Sequence, residues 1–167
     1  MKKQAGFTLI ELVIVIIILG ILAVTAAPKF LNLQDDAKKA AADGVFSGVS
    51  SAMQLVYSKS ALEGKEKAAK TNNPTPSVGS GWMVVATHFG YPTAAWDGIG
   101  KAISLDGAWK GAVLDSNATP PTYQFYSTDK GGNAVDGSPC VIYTEATSAT
   151  AAAVVKKGAV TGGKCAY

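Results

Sequence analysis

The sequence predicts an α+β fold: a long N-terminal α-helix packed on an antiparallel β-sheet, with a C-terminal disulfide loop. Three observations predict it. An apolar run from Phe7 to Ala27 passes into an amphipathic pattern that continues to about Leu62. Beyond Gly64 the chain changes to short segments rich in aromatic and β-branched residues, punctuated by glycine and proline. Its two cysteines, Cys140 and Cys165, stand near the C-terminus. A helix followed by strands, rather than alternating with them, is the pattern of a helix laid across an antiparallel sheet.

The chain opens MKKQAGFTLIELVIVIIILGILAVTAAPKF. From Phe7 to Ala27 it is apolar except for Thr8, Glu11 and Thr25, a length of about 21 residues that suffices for a helix to cross a bilayer. Burying so many apolar side chains releases roughly 30 to 60 kcal/mol at ~1.5 to 3 each, so this segment belongs in lipid or against other copies of itself. Lys2 and Lys3 hold the short side in the cytoplasm, and the chain beyond Pro28 is then exported. A carboxylate costs roughly 2.5 to 3.5 kcal/mol at mid-bilayer, so Glu11 is kept there only for a purpose. Pro28 has no N–H for the carbonyl of Val24, which predicts a kink or loosening just ahead of it. Gly20 weakens the helix by a further ~1 kcal/mol relative to alanine.

From Lys29 onward Phe30, Leu33, Ala37, Ala41, Val45, Gly48, Ala52 and Val56 recur every three or four residues. The whole helix is then roughly 80 Å long at about 1.5 Å per residue, too long for a domain of this size, so its first half protrudes. Asp35, Asp36, Lys38 and Lys39 form a solvated face. Gly64 to Gly81 reads as a surface loop. Trp82 to Phe89 reads as a strand ending at Gly90-Tyr91-Pro92, and Ala94 to Ile103 as a short helix broken by two glycines. Thr122 to Thr128, followed by a DKGGN turn, is the clearest strand, with Cys140 to Ala146 and Ala151 to Val155 as further candidates.

Composition excludes several classes. At 167 residues with 48% hydrophobic and 16% charged residues, the chain is one compact domain with an appendage and is too apolar for disorder. All 15 basic residues are lysine, and without Lys2 and Lys3 the net charge falls from +3 to about +1, so no nucleic-acid footprint exists. His88 is the sole histidine, which precludes an ordinary zinc site beside disulfide-bonded cysteines, and no GxSxG motif accompanies it; it reads as structural. Nothing points to an enzyme or a cofactor. Asp129, Asn133 and Asp136 offer oxygen ligands in a glycine-rich turn and form a weak calcium candidate, although their spacing is not that of an EF-hand and favours a solvated turn. Both cysteines lie in the exported part, where a disulfide persists; closing a loop of ~25 residues stabilises by roughly 3 to 4 kcal/mol.

The segment GFTLIE, Gly6 to Glu11, resembles the processing site of type IV prepilins: a short basic leader ending in glycine, then phenylalanine, a glutamate four positions further on and an apolar helix. The resemblance implies that a membrane aspartyl prepilin peptidase cuts between Gly6 and Phe7, that Phe7 is N-methylated, and that the helix is retained. It implies that Glu11 pairs with the cationic N-terminus of a neighbouring subunit. Two unit charges ~4 Å apart attract by about 4 kcal/mol at an effective dielectric near 20, comparable to the cost of holding the carboxylate out of water. Gly20 and Pro28 then bound a stretch that can lose helical structure on assembly. The implied organisation is residues 1–6 leader, 7–33 protruding transmembrane and assembly helix, and 34–167 globular pilin domain. Implied partners are identical subunits in a helical filament, the inner membrane before assembly, prepilin peptidase and the pilus assembly machinery. The implied destination is an extracellular pilus on the cell surface.

In such pilins a matching cysteine pair bounds a displayed C-terminal loop, here containing Lys156, Lys157, Gly162, Gly163 and Lys164. The run PKFLNLQDDAKKA, Pro28 to Ala40, resembles the mannose-sensitive haemagglutinin branch, implying surface attachment and early biofilm formation. Two alternatives stand beside this reading. A pseudopilin of a type II secretion system would share the N-terminus and show calcium-dependent stability. A secreted binding protein or hydrolase would be cut after Thr25-Ala26-Ala27, but Pro28 fits a protease cleft poorly there and Glu11 interrupts the apolar region. A plain membrane anchor leaves Glu11 unexplained.

Overall fold

The computed structural model describes residues 6–71, 76–81 and 84–167. Helix α1 spans Leu9–Leu62, ending where the periodicity ends. Its helical pattern carries through Gly20 and Pro28, so neither residue terminates it. Packing divides the chain into two units, Met1–Lys38 and Lys39–Tyr167. In the first, Lys38 and Asp35 form an exposed ion pair at 3.8 Å, of the kind that contributes at most about 1 kcal/mol.

In the second unit the buried line of α1 runs through Ala42, Val49 and Ser60, with Val45, Phe46 and Met53 partly buried beside it. This corrects the expected stripe: Ala41 is exposed, and the buried line lies one residue further round. Small residues occupy both sides of this stretch and leave its phase ambiguous. Phe46, Val49 and Met53, which have more apolar surface to remove from water, decide it.

Strands β1 (Ser77–Val78), β2 (Val85–His88) and β3 (Tyr91–Pro92) form a small antiparallel sheet in that order. The expected strand therefore starts at Val85, Trp82 and Met83 lying outside the described residues, and Tyr91–Pro92 is a strand of its own. The Gly64 to Gly81 loop contributes β1. Phe89 and Gly90, with φ of 49° and 81°, turn β2 into β3 in the left-handed region that two-residue hairpins require. The expected helix over Ala94 to Ile103 reduces to a π-type turn, Trp96–Gly100, continued briefly to residue 102. Gly98 has non-helical angles there, and a Cβ on it would stand 2.2 Å from the Thr93 carbonyl oxygen.

The main sheet is an antiparallel meander of β4 (Trp109–Asp115), β5 (Thr122–Ser127), β6 (Pro139–Thr144), β7 (Val154–Thr161) and β8 (Lys164–Ala166), in sequence order. Strand β4 is not announced by the sequence, because Gly111 and Ala112 dilute its alternation. Strand β7 starts later and runs further than the expected Ala151 to Val155, since Lys156, Lys157 and Gly158 disguise it as loop. What the cysteines bound is consequently the run from β6 through β7 to β8, whose last turn is made by Gly162 and Gly163 at φ of 59° and 76°.

Alternation gives the sheet two buried faces. Tyr123, Phe125, Val141 and Tyr143 pack with Ala42, Val49, Ile99 and Trp109. On the other face Cys140 and Ile142 pack with Val160 and Cys165. Strand β8 curls over this second face: the Cys140 and Cys165 Cα atoms are 6.0 Å apart, whereas strands two places apart in a flat sheet are separated by about 9.5 Å. The Cys165 N–H donates to buried Gln124 Oε1 at 2.7 Å. Gly158 makes room, for a Cβ there would meet the Ala166 carbonyl oxygen at 2.1 Å.

Candidate functional site: the exposed N-terminal helix

Gly6, Phe7 and Thr8 precede the helix in irregular, exposed backbone, with Phe7 93% accessible. The Gly6–Phe7 bond is thus accessible. Thr8 starts the helix. Its hydroxyl donates to Glu11 Oε2 at 2.6 Å, its N–H donates to the same oxygen at 2.8 Å, and the Glu11 N–H donates to Thr8 Oγ1 at 3.4 Å. This reciprocal capping box was legible in the T-x-x-E spacing of FTLIE, yet reading Glu11 for docking alone missed it. The carboxylate also sits at the positive end of the helix dipole. Among the described residues its Oε1 has no partner.

Leu9–Ala26 has a mean hydropathy of 3.0 and none of it is buried. By length and composition it can cross a membrane. Thr25 donates back to the carbonyls of Ile21 and Leu22 at 3.2 and 3.1 Å. The Thr8 and Thr25 hydroxyls are therefore paired within the helix, as an apolar environment demands, whereas Glu11 keeps one carboxylate oxygen free. At Gly20 a Cβ would meet nothing within 4 Å.

Cys140 and Cys165 form the disulfide. His88 Nδ1 lies 2.8 Å from Glu145 Oε1, and Lys70 Nζ is 2.5 Å from that oxygen. The Ala94 N–H donates to Oε2 at 2.7 Å. Glu145, 3% exposed, ties three segments to the end of β6 and was not singled out from sequence. Nearby, Tyr143 donates to the Pro92 carbonyl at 2.6 Å, and burial pushes its hydroxyl pKa well above the ordinary tyrosine range. Of the calcium candidates, Asp129 and Asn133 come together: the Asn133 N–H donates to Asp129 Oδ1 at 2.9 Å and holds that carboxyl below its usual range. Asp136 instead accepts the Gly163 N–H at 3.0 Å. Among the described residues no three His, Cys, Asp or Glu side chains converge as metal ligands.

The prokaryotic N-terminal methylation motif matches residues 1–27. The chain is 35% identical over 82 residues to type II secretion system core protein G of Pseudomonas aeruginosa, covering 45% of this chain and 58% of that protein. It is 53% identical over 53 residues to the type IV narrow pilus major component PilA5 of Thermus thermophilus, covering 32% and 46%. It is 46% identical over 66 residues to a fimbrial protein of Pseudomonas aeruginosa, covering 40% of each. The chain spans about half the length of these curated relatives. No solved structure matches. A helix-first α+β chain with this motif resembles pilins and pseudopilins as a class, and in its N-terminal helix it resembles type IV pilins.

Proposed function

We propose that this chain is a structural subunit of a type IV pilus. Prepilin peptidase cuts between Gly6 and Phe7, Phe7 is N-methylated, and the helix leaves the inner membrane to pack among its copies in an extracellular filament. The observation that carries the reading is one acid, Glu11, four positions after Phe7 and an exposed Gly6–Phe7 bond, at the head of an apolar helix with no buried residue from Leu9 to Ala26. On docking, the Glu11 carboxylate meets a neighbour's cationic N-terminus and fixes the register. A head-to-tail contact that does not close on itself then propagates as a helix. Gly20 and Pro28 are the points where the assembled helix loosens. The run Pro28 to Ala40 supports the mannose-sensitive haemagglutinin branch, and with it adhesion and biofilm formation. Sequencing of protein sheared from cells tests this: N-methylphenylalanine at position 7 is expected, and a mature chain beginning at Pro28 refutes it.

The pseudopilin reading is favoured by the 35% identity to the secretion protein. The disulfide near the C-terminus, Cys140 to Cys165, supports the pilin instead. Unfolding of the purified protein with calcium or with chelator separates them, a calcium-raised midpoint favouring the pseudopilin.

A further inference from the structure

We propose that Asn117 is an acceptor for an N-linked glycan. The inference rests on the export that the pilus reading entails, and on a motif that reading does not use. Asn117-Ala118-Thr119 satisfies the acceptor pattern of asparagine, any residue but proline, then serine or threonine. Asn32, Asn72 and Asn133 lack the hydroxyl two positions on, and Asn73 is followed by Pro74. The pattern has a physical basis. A carboxamide nitrogen is a poor nucleophile because its lone pair is delocalised into the carbonyl, so a transferase must grip and twist the group, and the hydroxyl gives it a second hold.

The structure presents this tripeptide accessibly. Residues 116–121 form an irregular connection between β4 and β5, with Asn117 and Thr119 both exposed. Strand β4 is the edge of the main sheet, so no further strand flanks the connection. Among the described residues neither the Asn117 nor the Thr119 side chain makes a hydrogen bond. The turn is held by one group: Asp115 Oδ1 accepts the N–H groups of Asn117 and Ala118 at 2.8 and 3.0 Å. Releasing that exposed carboxylate lets the segment adopt the shape of an enzyme cleft, and leaves an acid two residues before the acceptor as a further point of recognition for a cationic cleft. A glycan here projects from the sheet edge and disturbs neither buried face.

The donor class is an oligosaccharide on a polyprenyl diphosphate, a lipid in the same membrane that holds α1 before assembly. Asn117 Nδ2 attacks the anomeric carbon and an N–C bond forms. The C–O bond to the diphosphate breaks, polyprenyl diphosphate leaves with the bonding electrons, and a base of the transferase takes one amide proton. No oxidation or reduction occurs.

Full-length protein is isolated from the cells that make it and digested with trypsin. Cleavage after Lys110 and Lys130 gives a peptide, Gly111 to Lys130, whose single asparagine is Asn117. The expected result is a mass above the sequence value by one oligosaccharide, placed on Asn117 by fragmentation. The addition should vanish in Asn117→Gln and Thr119→Ala, persist in Thr119→Ser, and fall several-fold in Asp115→Ala. A peptide at its sequence mass, or a glycan that survives Asn117→Gln on a nearby hydroxyl, overturns the proposal. Intact mass of the same sample separates the two readings. A chain starting at methylated Phe7 with bare Asn117 sinks the glycan alone, whereas a chain starting at Pro28 sinks the pilus.

Discussion

Replacing Glu145 by alanine is expected to destabilise the fold far more than a typical surface change. The carboxylate holds Lys70, His88 and the Ala94 N–H, groups that stand 75, 57 and 51 residues away along the chain. Removing it orphans a buried N–H, which costs about 1 to 3 kcal/mol, and breaks a buried charged contact, for which about 3 to 5 kcal/mol is usual. The Lys70 side chain is 37% exposed and can turn to water, which sets the expected loss near the low end, about 3 to 4 kcal/mol. Glu145→Gln keeps an acceptor for the N–H and should lose only about 1 to 2 kcal/mol. Urea unfolding of the disulfide-intact chain in non-ionic detergent, followed by tryptophan fluorescence, gives the numbers. With a slope of about 2 kcal/mol per molar, the midpoint should fall by roughly 1.5 to 2 M for alanine. A fall under about 0.5 M, or equal falls for alanine and glutamine, would refute the view that this acid staples three segments.

Three further outcomes follow from the geometry. Replacing both cysteines by serine should remove about 3.5 kcal/mol on the chain-entropy model, read as a lower urea midpoint. Gly158→Ala should displace β8 from the sheet, detectable as faster amide exchange at Cys165 and Ala166, because its Cβ would collide with the Ala166 carbonyl oxygen at 2.1 Å. Thr8→Ala and Glu11→Gln should part company. Loss of the Thr8 cap costs about 1 kcal/mol of helix stability and leaves filaments assembling. Glu11→Gln should keep leader cleavage normal yet reduce sheared filament protein at least tenfold, and equal filament yields from the two variants would argue against the docking role.

The helix, the disulfide and the layered fold were legible because each rests on a strong local signal: a long apolar run, a sustained period and two lone cysteines. Strand β5, dense in aromatic and β-branched residues, was legible for the same reason. The register of α1 after Lys39 was not, since a face built of alanine and glycine carries little phase information. Strand β7 was hidden by Lys156, Lys157 and Gly158, where glycine is present for the approach of β8 rather than for a turn. Glu145 escaped because its partners come from distant sequence. At the N-terminus the motif singled out Gly6, Phe7 and Glu11 but not Thr8, whose hydroxyl donates to the Glu11 carboxylate.

The curl of β8 also makes oxidation a checkpoint. A chain whose two thiols stay reduced has its last strand held by hairpin pairing and packing alone, with no covalent tether. When that flap lifts, Ile142 and Val160, which pack with Cys165, lose that cover on the outer side of the meander. Sealing the flap with one covalent bond keeps that surface hidden.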